Sequence, residues 1–301
     1  MAGGTVTPST ISALMNVSSF DSSDLYPDTN QFKYGQAGIR TTFTAGPVDL
    51  GLSYYYGHNK QPSANTSALV NYNAASVMKA TAHANSITAA DSIFDSYEAA
   101  LPELEYDKVQ IFGIEAASIL FGRLNSRAEF AYNLTDDIAG DDPWVHNNSL
   151  AWVAGFDVDL PIHNININIQ ENGKYILNND KIGDEEFAPL KGTAYAAYED
   201  LFVYSYKEYD VDYDANDCYT NNKIILLISD SWNHENVKLD LKGIYGIERK
   251  DLIVMPQLTF KIKDDFTLNL SGMYIWCDDE DSEFDGWEHN SYAQIGCKYQ
   301  F

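Results

Sequence analysis

From Tyr34 onward the sequence alternates between apolar residues and small or polar ones, in runs of about 10 to 13. A period of two sends successive side chains to opposite faces of a strand, so each run carries one apolar face and one polar face. In 48–56, Val48, Leu50, Leu52, Tyr54 and Tyr56 stand against Asp49, Gly51, Ser53 and Tyr55. In 123–134, Leu124, Ala128, Phe130, Tyr132 and Leu134 stand against Arg123, Asn125, Arg127, Glu129 and Asn133, and Ile165, Ile167 and Ile169 alternate with Asn164, Asn166, Asn168 and Gln170. Soluble sheets alternate too, but their strands average roughly 5 to 6 residues. These runs match the roughly 9 to 11 residues of a tilted membrane strand, whereas no stretch approaches the ~20 apolar residues of a membrane helix.

Eleven such strands are predicted, at 34–45, 47–58, 107–119, 123–134, 148–159, 164–177, 223–232, 236–248, 251–263, 266–277 and 290–301. The connections alternate between tight turns and long loops (59–106, 135–147, 178–222 and 278–289), and only Arg249-Lys250 departs from the pattern. Short turns on one side and long loops on the other are the construction of bacterial membrane barrels. Charge is sorted the same way. Of a net −25, the four long loops carry −3, −4, −8 and −7 and residues 1–33 carry −2, which leaves the strands and tight turns nearly neutral. A charge facing hydrocarbon at mid-depth costs about 2 to 4 kcal/mol. The expected fold is an all-β, antiparallel transmembrane β-barrel of about 12 strands over 34–301 with long acidic extracellular loops, preceded by a segment 1–33 that is either one irregular strand or extracellular.

Residues 293–301 place Ala293, Ile295, Cys297, Tyr299 and Phe301 on one face and Gln294, Gly296, Lys298 and Gln300 on the other. This resembles the carboxyl-terminal signal of outer-membrane barrels, with Ile295, Tyr299 and Phe301 as the residues that barrel assembly machinery would read. Segments 37–40, 46–57 and 127–132 are similar to those of porin-like envelope proteins of Gram-negative bacteria, over most of the chain from about residue 34. No catalytic or binding motif accompanies the similarity. The resemblance implies an outer membrane, contact with its lipid, and passage of ions or small solutes. The alternative is a structural or surface-interaction barrel whose acidic loops bind a partner protein, surface lipid or divalent cations. A charge of −25 lacks the basic footprint of a nucleic-acid binder.

With Phe301 on the turn side, eleven strands leave the chain before Tyr34 on the loop side, whereas a closed bacterial barrel has an even count. Either 11–20 supplies a twelfth strand or the chain is the carboxyl-terminal part of a larger barrel, completed by further strands or another chain. Residues 1–10 lack the basic head and apolar run of a secretory signal, as expected of a mature or partial chain.

The inward, pore-lining set is expected to be Arg40, Asp49, Glu115, Arg127, Glu129, Asp157, Asp159, Lys238, Asp240, Lys242, Lys261 and Lys298. Segments 74–83 and 86–100 have a helical tendency and are expected either to fold in and narrow the barrel or to lie across its mouth or be simply mobile. No cofactor is expected beyond Ca²⁺ or Mg²⁺ at the acidic loops, where Asp210, Asp212, Asp214, Asp278 and Asp281 offer hard oxygen ligands without the Gly and terminal Glu of an EF-hand. Cys218 and Cys277 are candidates for pairing near the loop-side rim, with free thiols as the alternative. Glu171 falls on the lipid-facing phase, which a bulge near Gln170 or contact with another chain would resolve. The histidines and Ser149 do not form a recognisable nucleophile set, and without a G-x-S-x-G elbow no enzymatic activity is expected.

Overall fold

The computed structural model describes residues 26–278, 280 and 282–300. Eleven long strands form one antiparallel sheet: β1 (Ala37–Ala45), β2 (Val48–His58), β5 (Lys108–Leu120), β6 (Leu124–Thr135), β7 (Ser149–Asp159), β8 (Asn166–Ile176), β11 (Thr220–Trp232), β12 (Val237–Gly246), β13 (Leu252–Lys263), β14 (Phe266–Trp276) and β15 (Tyr292–Tyr299). They are hydrogen-bonded in chain order, with no crossover. The loops carry two short hairpins, β3 (Ser63–Asn65) with β4 (Glu103–Glu105) and β9 (Glu186–Phe187) with β10 (Tyr204–Ser205), and helices α1 (Ser67–Ala84) and α2 (Asp91–Phe94).

Residues facing each other across an antiparallel ladder share a face, so the register tests the alternation directly. One face runs through Arg40, Ser53, Gly113, Ala131, Ala151 and Lys174 and on to Asn221. Beyond β11 it continues through Lys242, Gln257, Ser271 and Gln294. The opposite face carries Leu52, Ile114, Phe130, Trp152, Ile169, Leu226, Leu258, Leu270 and Ile295. A slip by one residue would swap the faces; the one register shift among the ten pairings falls at the turn end of β13 and β14, between Lys261 and Lys263, so Lys261 and the residues before it keep their phase. Tight turns hold the phase: in the three-residue connection between Leu120 and Leu124, Phe121 and Gly122 both take positive φ (53° and 72°).

The apolar face is uncovered. Leu52 is 49 % exposed, Ile114 56 % and Ile295 76 %. Aromatic residues concentrate at its two ends. Tyr54, Tyr56, Phe112, Tyr132, Trp152, Tyr175, Tyr245 and Tyr274 lie toward the long loops, with ring centroids 5.1 Å apart for Tyr54–Phe112 and 6.4 Å for Phe112–Tyr132. Phe43, Phe156, Phe260, Phe266 and Tyr299 lie toward the tight turns, and the band between is aliphatic apart from Phe130. The buried core lies instead in the loops. Val70, Ala74, Ala75, Met78 and Ala82 of α1 pack with Ala90, Phe94, Phe187, Leu190, Phe202 and Tyr206. Phe94 meets Phe202 at 5.7 Å, Tyr97 meets Phe187 edge-on at 4.8 Å, and Trp144 meets Tyr206 at 5.6 Å, so loops 59–106, 135–147 and 178–219 form one cap.

Several expectations change. The sheet is not closed among the described residues: β1 and β15 are its two edges. The twelfth strand expected near 11–20 lies outside the described residues, as does Phe301. Tyr34 belongs to a 3-10 turn (Phe32–Tyr34), and the first strand starts at Ala37. The expected helices at 74–83 and 86–100 are replaced by α1, which starts earlier, and the short α2. Helix α1 does not line the strands with its buried face but packs on loop 178–219. No bulge forms near Gln170, where both ladders of β8 are continuous. Glu171 stays on the apolar face and accepts a hydrogen bond from the Trp152 indole at 3.0 Å.

Candidate functional site

Every residue of the expected pore-lining set lies on the polar face by register. At its centre Glu115 joins two arginines. Arg40 Nε donates to Glu115 Oε1 at 2.8 Å, the Arg40 Nη2 group pairs with the same oxygen, and Arg127 Nη2 stands 3.6 Å from Oε2. Arg127 also pairs with Glu129 at 2.6 Å. Gly51 makes room for this cluster, because a Cβ there would collide with the Glu115 carboxylate. Asp49 accepts from Thr44 Oγ1 at 2.6 Å, and Asn166 bridges Asp157 (3.4 Å) and Asp159 (2.9 Å).

The other flank of the face is basic. Lys223, Lys238, Lys242, Lys261 and Lys298 share it with Asp240 as the acid of the strand positions, and Lys238 and Lys261 reach Glu235 (3.3 Å) and Asp264 (3.2 Å) in the turns. The strands before β11 carry the acids Asp49, Glu115, Glu129, Asp157 and Asp159 against Arg40, Arg127 and Lys174. The polar face therefore has an acidic side and a basic side, a lateral division that no single strand displays.

At the loop end the face meets the cap through His146 and Asp212. His146 Nδ1 is 3.0 Å from Asp212 Oδ1, and Asp212 Oδ2 accepts the Asn147 backbone N–H at 2.7 Å. The Asp212 hydrogen bond raises the His146 pKa against the opposing effect of burial. Asp210, 8 % exposed, accepts the Asp212 N–H at 2.9 Å, yet burial pushes its carboxyl up to about 6. Burial likewise raises Asp107, which lies beneath the same cap.

The expected cation ligands are engaged in other ways. Asp214 pairs with Arg249, and Asp278 lies 3.1 Å from Lys250. Asp281 lies outside the described residues, and among the described residues no three His, Cys, Asp or Glu side chains converge to hold a metal ion. Of these acids, Asp212, Asp214 and Asp278 form ion pairs and Asp210 accepts the Asp212 N–H, contacts that sequence spacing does not display. Cys218 is a thiol whose Sγ lies 3.6 Å from the Thr220 carbonyl, so the Cys218–Cys277 pairing does not form. Of the expected assembly signal, Ile295 and Tyr299 are exposed on the apolar face. Sequence reading missed Lys60, Lys174, His146 and Asp212 as a group, because three long loops bring them together.

No known protein family matches the chain, and no curated protein matches its sequence. Among solved structures, outer membrane phospholipase A from Escherichia coli is similar at 9 % identity, over 88 % of this chain and 77 % of that one, with a TM-score of 0.26. At that TM-score the likeness carries no argument about fold or site. The expectation of no enzymatic activity is corrected to this extent: the protein so matched is named as an enzyme, and catalysis by this chain is left open. That exclusion rested on a local motif, whereas catalytic groups on a sheet converge across strands. Among the described residues no helix is long and apolar enough to cross a membrane. What stands is an all-β chain whose eleven strands form one antiparallel sheet.

Proposed function

We propose that the sheet is the wall of an outer-membrane channel of a Gram-negative-type envelope, passing ions or small solutes along its polar face. The observation that carries this reading is the uncovered apolar face, aliphatic in the middle and aromatic at both ends. Leu52, Ile114 and Ile295 side chains left in water would each forfeit about 1.5 to 3 kcal/mol of burial, and the banding is that of a strand wall crossing lipid. The opposite face, with its ion pairs and amides, suits a wet interior. In hydrocarbon an unpaired edge leaves each backbone group several kcal/mol worse off. The edges at β1 and β15 are therefore paired in the membrane, with one another, with a further strand or with another chain. The acidic rim draws cations diffusely.

The test is reconstitution of the folded protein into planar bilayers. Discrete conductance steps are expected, and a protein that folds in detergent and inserts yet gives no steps would discard the channel. A second reading, a surface-interaction barrel, is favoured by the exposure of Ile138, Leu201 and Trp287 on the loop side (69 %, 63 % and 62 %). A silent wall together with saturable binding of a partner by the cap would select it.

A further inference from the structure

A pocket of about 450 Å³ opens where the polar face of β5 to β8 meets the cap. Its cationic lining comes from three separate segments: Lys60 just beyond β2, His146 on the approach to β7, and Lys174 near the loop end of β8. Among the described residues neither Lys60 nor Lys174 has an acid within ion-pair distance. His146 is already paired with Asp212, and Asp107 and Lys174 are the other charges acting on it. Two lysines on one pocket, in a chain with 44 acids and 19 Lys and Arg, give it a local positive charge against the acidic whole. The rest of the lining is mostly amide and hydroxyl, from Asn59, Gln61, Asn133 and Ser149, over Val109 and Ile111. Asn133 Nδ2 donates to Ser149 Oγ at 3.1 Å, which holds this floor in place.

The geometry points to a binding site for a small hydroxylated carboxylate, such as a sugar acid, with Lys60 and Lys174 as counter-ions and the amides as hydrogen-bonding partners for hydroxyls. The volume lies in the usual range of small-molecule pockets, and the lining is too polar for an apolar guest. A hydrogen bond to a charged group is the strong kind, which singles out the lysines as the test residues. The inference rests on the reading of the polar face as water-filled, since the solute must reach the pocket from water.

The experiment is calorimetric titration of the folded full chain in detergent with gluconate, with sorbitol and succinate as comparators. Gluconate is expected to bind, sorbitol to bind at least tenfold more weakly for want of the carboxylate, and succinate more weakly than gluconate for want of hydroxyls. K60Q and K174Q should each weaken gluconate about tenfold with an unchanged circular dichroism spectrum. Absence of gluconate binding, equal binding of sorbitol or succinate, or indifference to the double substitution K60Q/K174Q would each overturn the proposal. Conductance is not read in this assay, so a silent wall that still binds gluconate would sink the channel and leave the site standing.

Discussion

The wall and the cap bury opposite things. In the cap, Leu190 and Phe202 are 0 % and 1 % exposed and pack against α1 as in any water-soluble core. In the wall, residues of the same types stand open on one side of a sheet, and the polar residues sit between them. One chain therefore meets two surroundings: the cap excludes water by packing on itself, and the wall leaves its apolar side open, on the proposed reading to lipid. The difference explains why cap loops with a net charge of −15 fold at all, since their aromatic residues are turned toward one another and their acids, apart from the buried Asp137, Asp210 and Asp212, outward.

The sharpest way to break the comparison is at Phe202. Phe202→Ala should cost the cap about 3 to 5 kcal/mol, seen as rapid proteolysis within 178–222 while the wall keeps its resistance to heating in detergent. Equal loss in both regions would merge them into one cooperative unit. Next come Leu226 and Leu227, neighbours on β11 that face opposite ways: Leu226 lies across from Ile169 and Gly243, Leu227 from Asn168 and Lys242. Leu226→Arg is expected to destabilise the protein in bilayers by about 2 to 4 kcal/mol, and Leu227→Arg by far less. Denaturant titration in vesicles would expose a wrong assignment of faces by reversing that order.

A gentler test uses pH. Asp210 titrates near 6 in the folded cap against an ordinary 3.8, so between those values the folded state holds a proton that the unfolded chain has lost. Stability therefore falls as pH rises through that window. His146, raised by Asp212, contributes stability that is complete below its ordinary 6.5 and disappears as pH climbs through its raised folded value. Both effects favour acid, so amides of 178–222 should be better protected at pH 5 than at pH 8 after correction for intrinsic exchange. Asp210→Asn should flatten the lower part of the profile, and greater protection at pH 8 would refute the assignment. Smallest is Glu115→Gln. With Arg40 and Arg127 largely exposed, the stability change should stay within about 1 kcal/mol, and a shift of ion selectivity toward anions is expected in bilayer recordings.

The wall was legible because period two and strand length are local, and each of the eleven runs announces its own faces. The cap was not. Phe187, Leu190, Phe202 and Tyr206 follow no helical or strand period, and what unites them with Val70 and Met78 is contact between loops more than a hundred residues apart. Glu171 shows the same limit: its place on the apolar face could be read, but its partner, Trp152 on the neighbouring strand, could not. Open edges at β1 and β15 are invisible to alternation, which reports faces and is silent on neighbours. The paired charges of Arg40, Glu115, Arg127 and Glu129 were readable as residues, while their convergence needed the register.

The three loops that build the cap leave from β2, β6 and β8 and return to β5, β7 and β11, six strands that are adjacent in the sheet. Their loop-side ends are laced together like the staves of a cask under a single hoop. The β12 to β15 flank is tied to that hoop by ion pairs, Arg249 with Asp214 and Glu283 with Lys223, rather than by a packed core. In a channel walled by this sheet, any breathing in width would fall to the more lightly tied staves, with the laced ones as the fixed frame.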